Sequence, residues 1–481
     1  MPQPTDTSLT APVEGPSVLR TRTAWTLLWF WVLVGALVVI PSPLRQLLRR
    51  AAPATGTIAT PAPGVPTEVV RLAGLPRGGT SGVVAIEDPH GGMAPFYRAL
   101  ARTAAKQRGA VTRVLHYGDS LIDQDLITSD LRRSLQKRYG DAGHGFVLAA
   151  RAWRWYSHPG IVHGGGSEAA WDYFRLVGGR ARDGRLGLGC AAIESRGGTA
   201  STQVTATEAV RASAVEVHYL RAPAAGRLEV HVDGKHVVTL DAASSRPAGG
   251  FHRLQLADAP HRFRLVALGR VRVFGIVLER DGPGITWENL ALISARFHML
   301  TLLDAAHWSE QLQQRRPDLV VLQFGANDSI SYGGDLERYG DRVLQALRTL
   351  RRATPRSACL VIGPLDRAER GPDGHLRSPA VVQRVARKQR EVALAARCAF
   401  WDAQEAMGGP GAMAEWLRRG LAVRDLVHLS ARGSREVAAL LERALDEGFR
   451  ARGVPRGAGS PPEETRMGRG KLSGGLGDAV Q

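Results

Sequence analysis

Apolar residues along the chain first follow helical spacing, at MAPFYRALARTAAKQRG, and then a strand-like run, VTRVLHYG, at residues 111–118. A second amphipathic helix is predicted at QDLITSDLRRSLQKRYG. Further short apolar runs, at residues 318–325, 357–363 and 398–403, are separated by helical patterns such as DRVLQALRTLRRA. Buried strands that alternate with helices predict an α/β fold with a doubly wound, flavodoxin-like parallel sheet.

Residues 185–282 follow a different period, because apolar and polar residues alternate in runs such as RLEVHVDGKHVVTLD. Alternation is typical of half-buried antiparallel strands, and Asp233-Gly234 between two such runs predicts a tight hairpin. We therefore predict an inserted β-sandwich at residues 151–284. Two consecutive domains would not explain why α/β-type segments resume after residue 285.

The two ends of the chain have compositions of their own. Residues 24–40 form a continuous apolar run between arginines, which predicts a transmembrane signal anchor at 24–43 behind an N-terminal tail at 1–23. A Pro/Ala-rich linker at 44–90 follows, and residues 453–481 have the composition of a disordered tail. This order predicts that the main folded part of the chain lies outside the cytoplasm, anchored in a bacterial inner membrane and facing the periplasm.

These predictions leave residues 91–150 and 285–452 as the two parts of the α/β domain. The formal net charge of +18 does not suggest a nucleic-acid partner, since only five of the 63 cationic residues are lysines and the arginines are scattered over every segment. The three cysteines lie far apart without metal-ligand spacing, and Cys359 and Cys398 resemble buried small hydrophobes. No metal and no cofactor are expected.

The first candidate for chemistry is Ser120, in HYGDSLIDQDLI, between a predicted strand and a predicted helix. Open α/β sheets bind ligands at the carboxyl ends of their strands, and a helix N-terminus there supplies N–H groups for an oxyanion. A lone Gly-Asp-Ser is weak evidence, because the serine could equally cap the helix.

Two further segments supply what a serine nucleophile lacks. Asn327, in FGANDS after a strand, could donate its amide to an oxyanion, although an Asx turn would explain it as well. Asp425 precedes His428 by three residues, so one turn can carry both a base and the carboxylate that orients it. Asp-x-x-His is common by itself, but the three segments together predict a serine hydrolase site.

These blocks resemble those of the SGNH (GDSL-type) hydrolase family, over about residues 91–150 and 285–450. The resemblance implies that Ser120 is the nucleophile, His428 the general base and Asp425 its partner. It also implies an oxyanion hole made of the Ser120 N–H, the Asn327 side chain and an N–H from the family's second block. Asp119 and Gly325 would support this site.

The second block departs from the family pattern, because ENLALISARF has Ser294 where the family usually has glycine. A side chain there is compatible with donation only if the local backbone permits it. If the register is shifted by one residue, Ala295 would be the donor instead.

The wider context is similar to bacterial enzymes that act on acylated cell-wall or extracellular glycans, with peptidoglycan O-acetylesterases as the nearest group. This predicts a serine esterase acting on O-acyl, above all O-acetyl, esters. Two alternatives remain open, a glycan O-acyltransferase with the same triad and a non-catalytic glycan-binding protein. Trp153, Trp155, Tyr156 and Trp171 could stack on sugar rings or pack between the domains.

Overall fold

The computed structural model describes residues 82–178, 183–330 and 334–452. The predicted anchor at 24–43 and the predicted disordered tail at 453–481 lie outside these ranges. Among the described residues, no helix combines the length and apolar character needed to cross a bilayer.

Nine α-helices occur in the described ranges: α1 Ala94–Ala104, α2 Leu126–Tyr139, α3 Ala305–Arg315, α4 Ala326–Ile330, α5 Leu336–Ala353, α6 Ala380–Ala395, α7 Ala403–Met407, α8 Ala412–Arg418 and α9 Ala431–Arg450. The strands there are β1 Val111–Gly118, β2 Gly145–Leu148, β3 Ile161–Gly164, β4 Trp171–Arg175, β5 Ala191–Ser195, β6 Thr199–Ala206, β7 Ala212–Arg221, β8 Arg227–Val232, β9 Lys235–Asp241, β10 Ala248–Ala259, β11 Arg262–Leu268, β12 Arg272–Glu279, β13 Gly284–Ala291, β14 Leu319–Gln323, β15 Ala358–Ile362, β16 Glu369–Arg370, β17 Leu376–Arg377 and β18 Ala399–Trp401.

A five-stranded parallel sheet is the frame of the α/β part. Its strands lie in the order β13-β1-β14-β15-β18, and each neighbouring pair is parallel. Numbered by their appearance in the chain, these strands have the order 2-1-3-4-5, which is the flavodoxin-like arrangement. The predicted α/β fold with a parallel sheet is confirmed.

Four of the five strands coincide with the predicted apolar runs, but β13 does not. Its sequence, GITWENLA, is fully buried although Thr286, Glu288 and Asn289 interrupt the apolar pattern. The guanidinium of Arg315 contacts the Glu288 carboxylate, and the Asn289 amide donates to the Ile122 carbonyl. These partners replace water around the polar groups, which is why a strand with polar residues can be buried.

Residues 145–279 form two antiparallel sheets, one built from β10-β7-β12-β5-β4 with β2 attached and one from β3-β6-β11-β8-β9. Apolar residues from both sheets belong to one hydrophobic cluster, for example Val217 and Ile276 from the first and Val230 and Leu265 from the second. The antiparallel strands thus begin before residue 151, with β2.

The predicted hairpin at Asp233-Gly234 connects β8 to β9. The two residues have φ of 52° and 84°, the conformation that a two-residue loop between strands requires.

Ordered packing also extends into the segment predicted as a linker. Glu87 pairs with Phe400 through backbone hydrogen bonds of 2.8 and 2.9 Å, and the Glu87 carboxylate forms an ion pair with Arg390. The α/β part therefore starts before residue 91.

Cys359 and Cys398 form a disulfide bond, so the expectation that both are only small buried hydrophobes is wrong. Cys359 lies in β15, and Cys398 directly precedes β18, which pairs with β15 in the sheet. The two residues are 39 positions apart in the chain, a distance that hides the pairing from a sequence reading. Cys190 is free and buried.

Candidate active site

Three loops that carry predicted site residues follow three neighbouring strands of the parallel sheet. The strands end in register, since Gly118 of β1 lies opposite Ala291 of β13 and Gln323 of β14. Ser120, Ser294 and Asn327 come two to four residues after these strand ends. The strand order reverses at β1, and the crevice at such a reversal is where open α/β sheets bind ligands.

Ser120 begins a short 3₁₀ segment, Ser120–Asp125, and α2 begins only at Leu126. The sequence predicted this helix at QDLITSDLRRSLQKRYG, from residue 124, so its observed start lies two residues later. Asp119 caps the 3₁₀ turn, because its Oδ1 accepts a hydrogen bond of 3.0 Å from the Leu121 N–H. The N–H groups available to an anion at Ser120 therefore belong to this tight turn.

His428 lies in hydrogen-bonding contact with Ser120. Its Nε2 is 2.8 Å from Ser120 Oγ, across 308 positions of the sequence. On the other side of the ring, His428 Nδ1 is 2.7 Å from Asp425 Oδ2. A carboxylate can only accept, so Nδ1 carries the proton and the Nε2 lone pair faces the serine hydroxyl.

The turn at residues 423–428 fixes this orientation. Asp425 Oδ1 accepts from the N–H groups of Val427 at 3.0 Å and His428 at 2.9 Å, and Leu426 has a φ of 66°. Partial burial raises the pKa of the Asp425 carboxyl, but these N–H donors and the imidazole outweigh it and hold the pKa below its usual value. The carboxylate stays ionised and keeps the imidazole in one tautomer.

Such a line of carboxylate, imidazole and hydroxyl is able to move a proton away from the serine. When Ser120 Oγ attacks a carbonyl carbon, its proton can pass to Nε2, and the imidazolium that forms is stabilised by Asp425.

Ser294 has a φ of 61°, in the left-handed region that glycine adopts most easily. The serine thus has the conformation expected of the glycine that it replaces. The Ala295 N–H donates to the Leu292 carbonyl at 2.9 Å, whereas the Ser294 N–H has no acceptor among the described residues. Of the two alternatives for this block, only Ser294 has an N–H that a ligand could use.

Asn327 lies in the first turn of α4. Its Nδ2 donates a hydrogen bond of 3.1 Å to the Ala295 carbonyl, which ties it to the Ser294 loop. An amide nitrogen carries two protons, so one remains for a second acceptor. Gly325, two residues earlier, has a φ of 139°, and a side chain there would meet Pro364 at 2.7 Å. A close approach of two loops therefore requires the glycine.

Two carboxyl groups are buried beneath these loops, and the sequence pointed to only one of them. Burial raises the pKa of Asp119 to about 6, against the opposing N–H donor of Leu121. Burial and, to a smaller extent, the nearby Asp119 carboxyl raise the pKa of Asp328 to about 7. Asp328 accepts from the Phe297 N–H at 3.1 Å. The Gly-x-Asn-Asp pattern at residues 325–328 is the sequence feature that could have pointed to Asp328.

A second polar group, made of Asp125, His144 and His158, is buried behind the Ser120 turn, and its ligand-type atoms lie within 4.8 Å of one another. His144 Nε2 is 3.1 Å from His158 Nδ1. Arg132 forms an ion pair with Asp125 and supplies the positive charge that the carboxylate needs. His158 Nδ1 is also 3.5 Å from Asp125 Oδ2, while the buried His158 Nε2 has no hydrogen-bond partner among the described residues.

Of the four aromatic residues considered for sugar stacking, Trp153, Tyr156 and Trp171 are buried, and Trp155 is 62% exposed. Trp153 touches the site region, since its Nε1 donates a hydrogen bond of 3.1 Å to Asp123 Oδ1 in the 3₁₀ segment. Tyr156 is buried, so its ring is not available to stack on a ligand from solvent. Its hydroxyl accepts a hydrogen bond of 2.9 Å from the Leu148 N–H.

Comparison with known proteins gives independent information on this site. Residues 272–436 match the model of the GDSL-like lipase/acylhydrolase family, a range that includes Ser294, Asn327, Asp425 and His428 and begins after Ser120. No curated protein matches the chain.

Among solved structures, a peptidoglycan O-acetylesterase matches with a TM-score of 0.65 and 27% identity, over 76% of this chain and 99% of the other. A salicylyl-acyltransferase from a tetracycline biosynthetic pathway matches over 62% of this chain and 98% of the other, with 14% identity and a TM-score of 0.27. An acetyl xylan esterase has 20% identity and the same TM-score of 0.27, over 34% of this chain and 81% of the other. The similarity to the last two structures is too low to support a conclusion about this chain. The family match and the first structure agree with the site geometry, and together they support a hydrolase of the SGNH/GDSL type.

Proposed function

We propose that the protein is a serine esterase that removes O-acyl groups, above all O-acetyl groups, from cell-wall or extracellular glycans through an acyl-enzyme. The single observation that carries this proposal is the hydrogen-bonded line from Asp425 through His428 to Ser120, with distances of 2.7 and 2.8 Å. The 27% identity to a peptidoglycan O-acetylesterase supports the choice of an acetylated glycan.

In the proposed first step, Ser120 Oγ attacks the ester carbonyl carbon while His428 Nε2 takes the hydroxyl proton. The carbonyl oxygen becomes an oxyanion that the N–H groups of Ser120 and Ser294 and the Asn327 amide stabilise. Collapse of the tetrahedral intermediate breaks the ester bond, and His428 returns the proton to the departing sugar oxygen. Water then repeats the sequence on the acyl-enzyme and releases the free acid.

A non-catalytic glycan-binding role is less well supported, because binding alone does not require a serine, an imidazole and a carboxylate in hydrogen-bonded contact. An acyltransferase would use the same geometry with a sugar hydroxyl in place of water.

We also propose that residues 145–279 are a β-sandwich inserted into the hydrolase domain, and that the chain is anchored by residues 24–43 with this domain outside the cytoplasm. The Cys359–Cys398 disulfide supports the second part, because disulfides persist in oxidising compartments such as the periplasm.

The decisive experiment measures acetate release from O-acetylated peptidoglycan by the protein and by its Ser120→Ala variant. We expect the variant to lose at least about 10³-fold in kcat. A fluorophosphonate probe should label the parent at Ser120 and leave the variant unlabelled. Turnover by Ser120→Ala at the parent rate would refute the proposal, and acetyl transfer to an added glycan in preference to water would identify a transferase.

A further inference from the structure

A cavity of about 690 Å³ lies between the loop at residues 150–154, strand β3 with the turn after it, and strands β4 and β6. Its lining includes three aromatic side chains, those of Trp153, Trp171 and Tyr173. The volume is in the range of ligand-binding clefts.

Trp153 connects this cavity to the site. Its indole N–H donates to Asp123, three residues after Ser120. Trp153 also lines a small cavity of about 20 Å³ together with Leu292 and Ile293, which directly precede Ser294. Trp153 is thus shared by the two cavities and by a hydrogen bond to the segment that begins at Ser120.

The charged residues that line the two cavities are mostly positive. Arg151 and Arg154 line the large cavity, where Glu168 is the one acidic residue of the lining, and Arg175 lines the small one. Arg151 and Arg154 are exposed, Arg175 is partly buried, and none of the three has a carboxylate or other acceptor among the described residues.

Some arginines elsewhere in the chain already have a carboxylate partner. Arg132, Arg272 and Arg315, for example, all form close ion pairs with carboxylates. Arginine presents a planar fork of donors that matches a carboxylate, and its pairing with an anion is stronger where neighbouring walls exclude water.

The geometry points to a subsite for an anionic ligand. We propose that the cavity holds a carboxylate-bearing segment of the substrate polymer, with Arg151 and Arg154 as its carboxylate-binding residues and Trp153 as the wall between it and Ser120. This inference rests on the proposed esterase function and adds that the preferred substrate is an anionic glycan rather than a neutral one.

The test uses the full chain and three substrates: O-acetylated peptidoglycan with free peptide carboxylates, the same material after carboxyl amidation, and nitrophenyl acetate. We expect the double variant Arg151→Gln/Arg154→Gln to raise KM for the untreated polymer by about tenfold, which corresponds to about 1.4 kcal/mol. Its kcat on that polymer and its kinetics on nitrophenyl acetate should equal those of the parent. Amidation of the polymer should remove the difference between variant and parent.

Arg227→Gln/Arg264→Gln is the matched control, because both residues are exposed, have no ion-pair partner among the described residues and line neither cavity. Its KM for the polymer should stay within twofold of the parent.

A second variant fills the cavity. Gly164 lines it, and a Cβ added there would meet no atom within 4 Å. Gly164→Phe should raise KM for both polymer forms and leave nitrophenyl acetate unaffected.

The outcomes separate this inference from the esterase proposal. Absence of activity on all three substrates would refute the esterase itself. Normal ester hydrolysis with an unchanged KM in Arg151→Gln/Arg154→Gln, an equal rise in the control, or equal loss on amidated and untreated polymer would refute the anionic subsite.

Discussion

Ser294 is the residue at which the chain departs most clearly from the family pattern, and its backbone explains how the departure is tolerated. A serine at a φ of 61° costs on the order of 1 kcal/mol relative to glycine, but it keeps the N–H in the same orientation. The proposed oxyanion donor is the backbone N–H, so we expect the side chain to be dispensable for chemistry.

We therefore expect Ser294→Gly to keep kcat within about threefold of the parent and to change the free energy of unfolding by less than about 1 kcal/mol. Ser294→Val should lose activity, because a β-branched residue disfavours this φ. Acetate release and thermal unfolding of both variants check the prediction. If Ser294→Gly lost as much activity as Ser120→Ala, the hydroxyl rather than the N–H would be the essential group.

For Asn327 we expect a different result, because its side-chain amide is the proposed oxyanion donor. Asn327→Ala should lower kcat by about 10²- to 10³-fold with little change in KM, since the interaction forms with the oxyanion and not with the bound ester. The same amide holds the Ala295 carbonyl, so thermal unfolding must be measured alongside. A large rise in KM with normal kcat would assign Asn327 to substrate binding.

At this scale, the sequence identified Ser120, Asp425 and His428, because each sits in a short recognisable segment, Ser120 after a strand and the other two just before a helix. It could not identify Trp153 as a neighbour of the 3₁₀ segment, since their contact spans 30 positions. Nor could it decide between Ser294 and Ala295, because that choice depends on a hydrogen bond within the turn.

At the scale of elements, strand β13 shows why apolar patterning missed one strand of the parallel sheet. Glu288 in β13 and Glu279 in β12 are both buried, and the Arg315 guanidinium contacts both, at 2.6 and 2.7 Å. A buried carboxylate is tolerated only with such a partner, and α3, which ends at Arg315, supplies it. The pattern of a single segment cannot reveal a counter-ion from another element.

Removal of that partner should therefore be costly. Arg315→Leu leaves Glu288 without its guanidinium, and we expect the free energy of unfolding to fall by about 3 to 5 kcal/mol. Arg133→Leu removes an arginine that is 62% exposed and should change stability by less than about 1 kcal/mol. Urea unfolding of both variants gives the comparison, and equal losses would show that the buried network is not a stabilising link between α3 and β13.

At the scale of the whole molecule, one covalent link joins two neighbouring strands of the sheet. The Cys359–Cys398 bond closes a segment of 39 positions, for which loop-closure entropy predicts a stabilisation of about 4 kcal/mol. Cys359→Ala/Cys398→Ala should lower the melting temperature, and a reductant should lower that of the parent but not of the variant. Cys190→Ala is the control for the free thiol. If a reductant left the melting temperature of the parent unchanged, the expected stabilisation by the Cys359–Cys398 disulfide would be contradicted.

The stability of the whole molecule should also depend on pH through the buried carboxyls of Asp119 and Asp328. Their folded pKa values, about 6 and about 7, lie above the value of 3.8 in an unfolded chain. Between about pH 4 and pH 7 the folded state then binds more protons than the unfolded state, so its stability falls as the pH rises.

Asp328→Asn tests this dependence, because the amide keeps the acceptor for the Phe297 N–H and cannot ionise. Between pH 5 and pH 8, we expect the parent to lose on the order of 2 kcal/mol more unfolding free energy than the variant. Asp130→Asn, at a partly buried carboxyl of α2 that forms an ion pair with the exposed Arg133, should follow the parent. Urea unfolding at a series of pH values measures the slopes. Parallel curves for parent and Asp328→Asn would mean that Asp328 is ionised in the folded protein throughout, and that burial beside Asp119 does not hold a proton there.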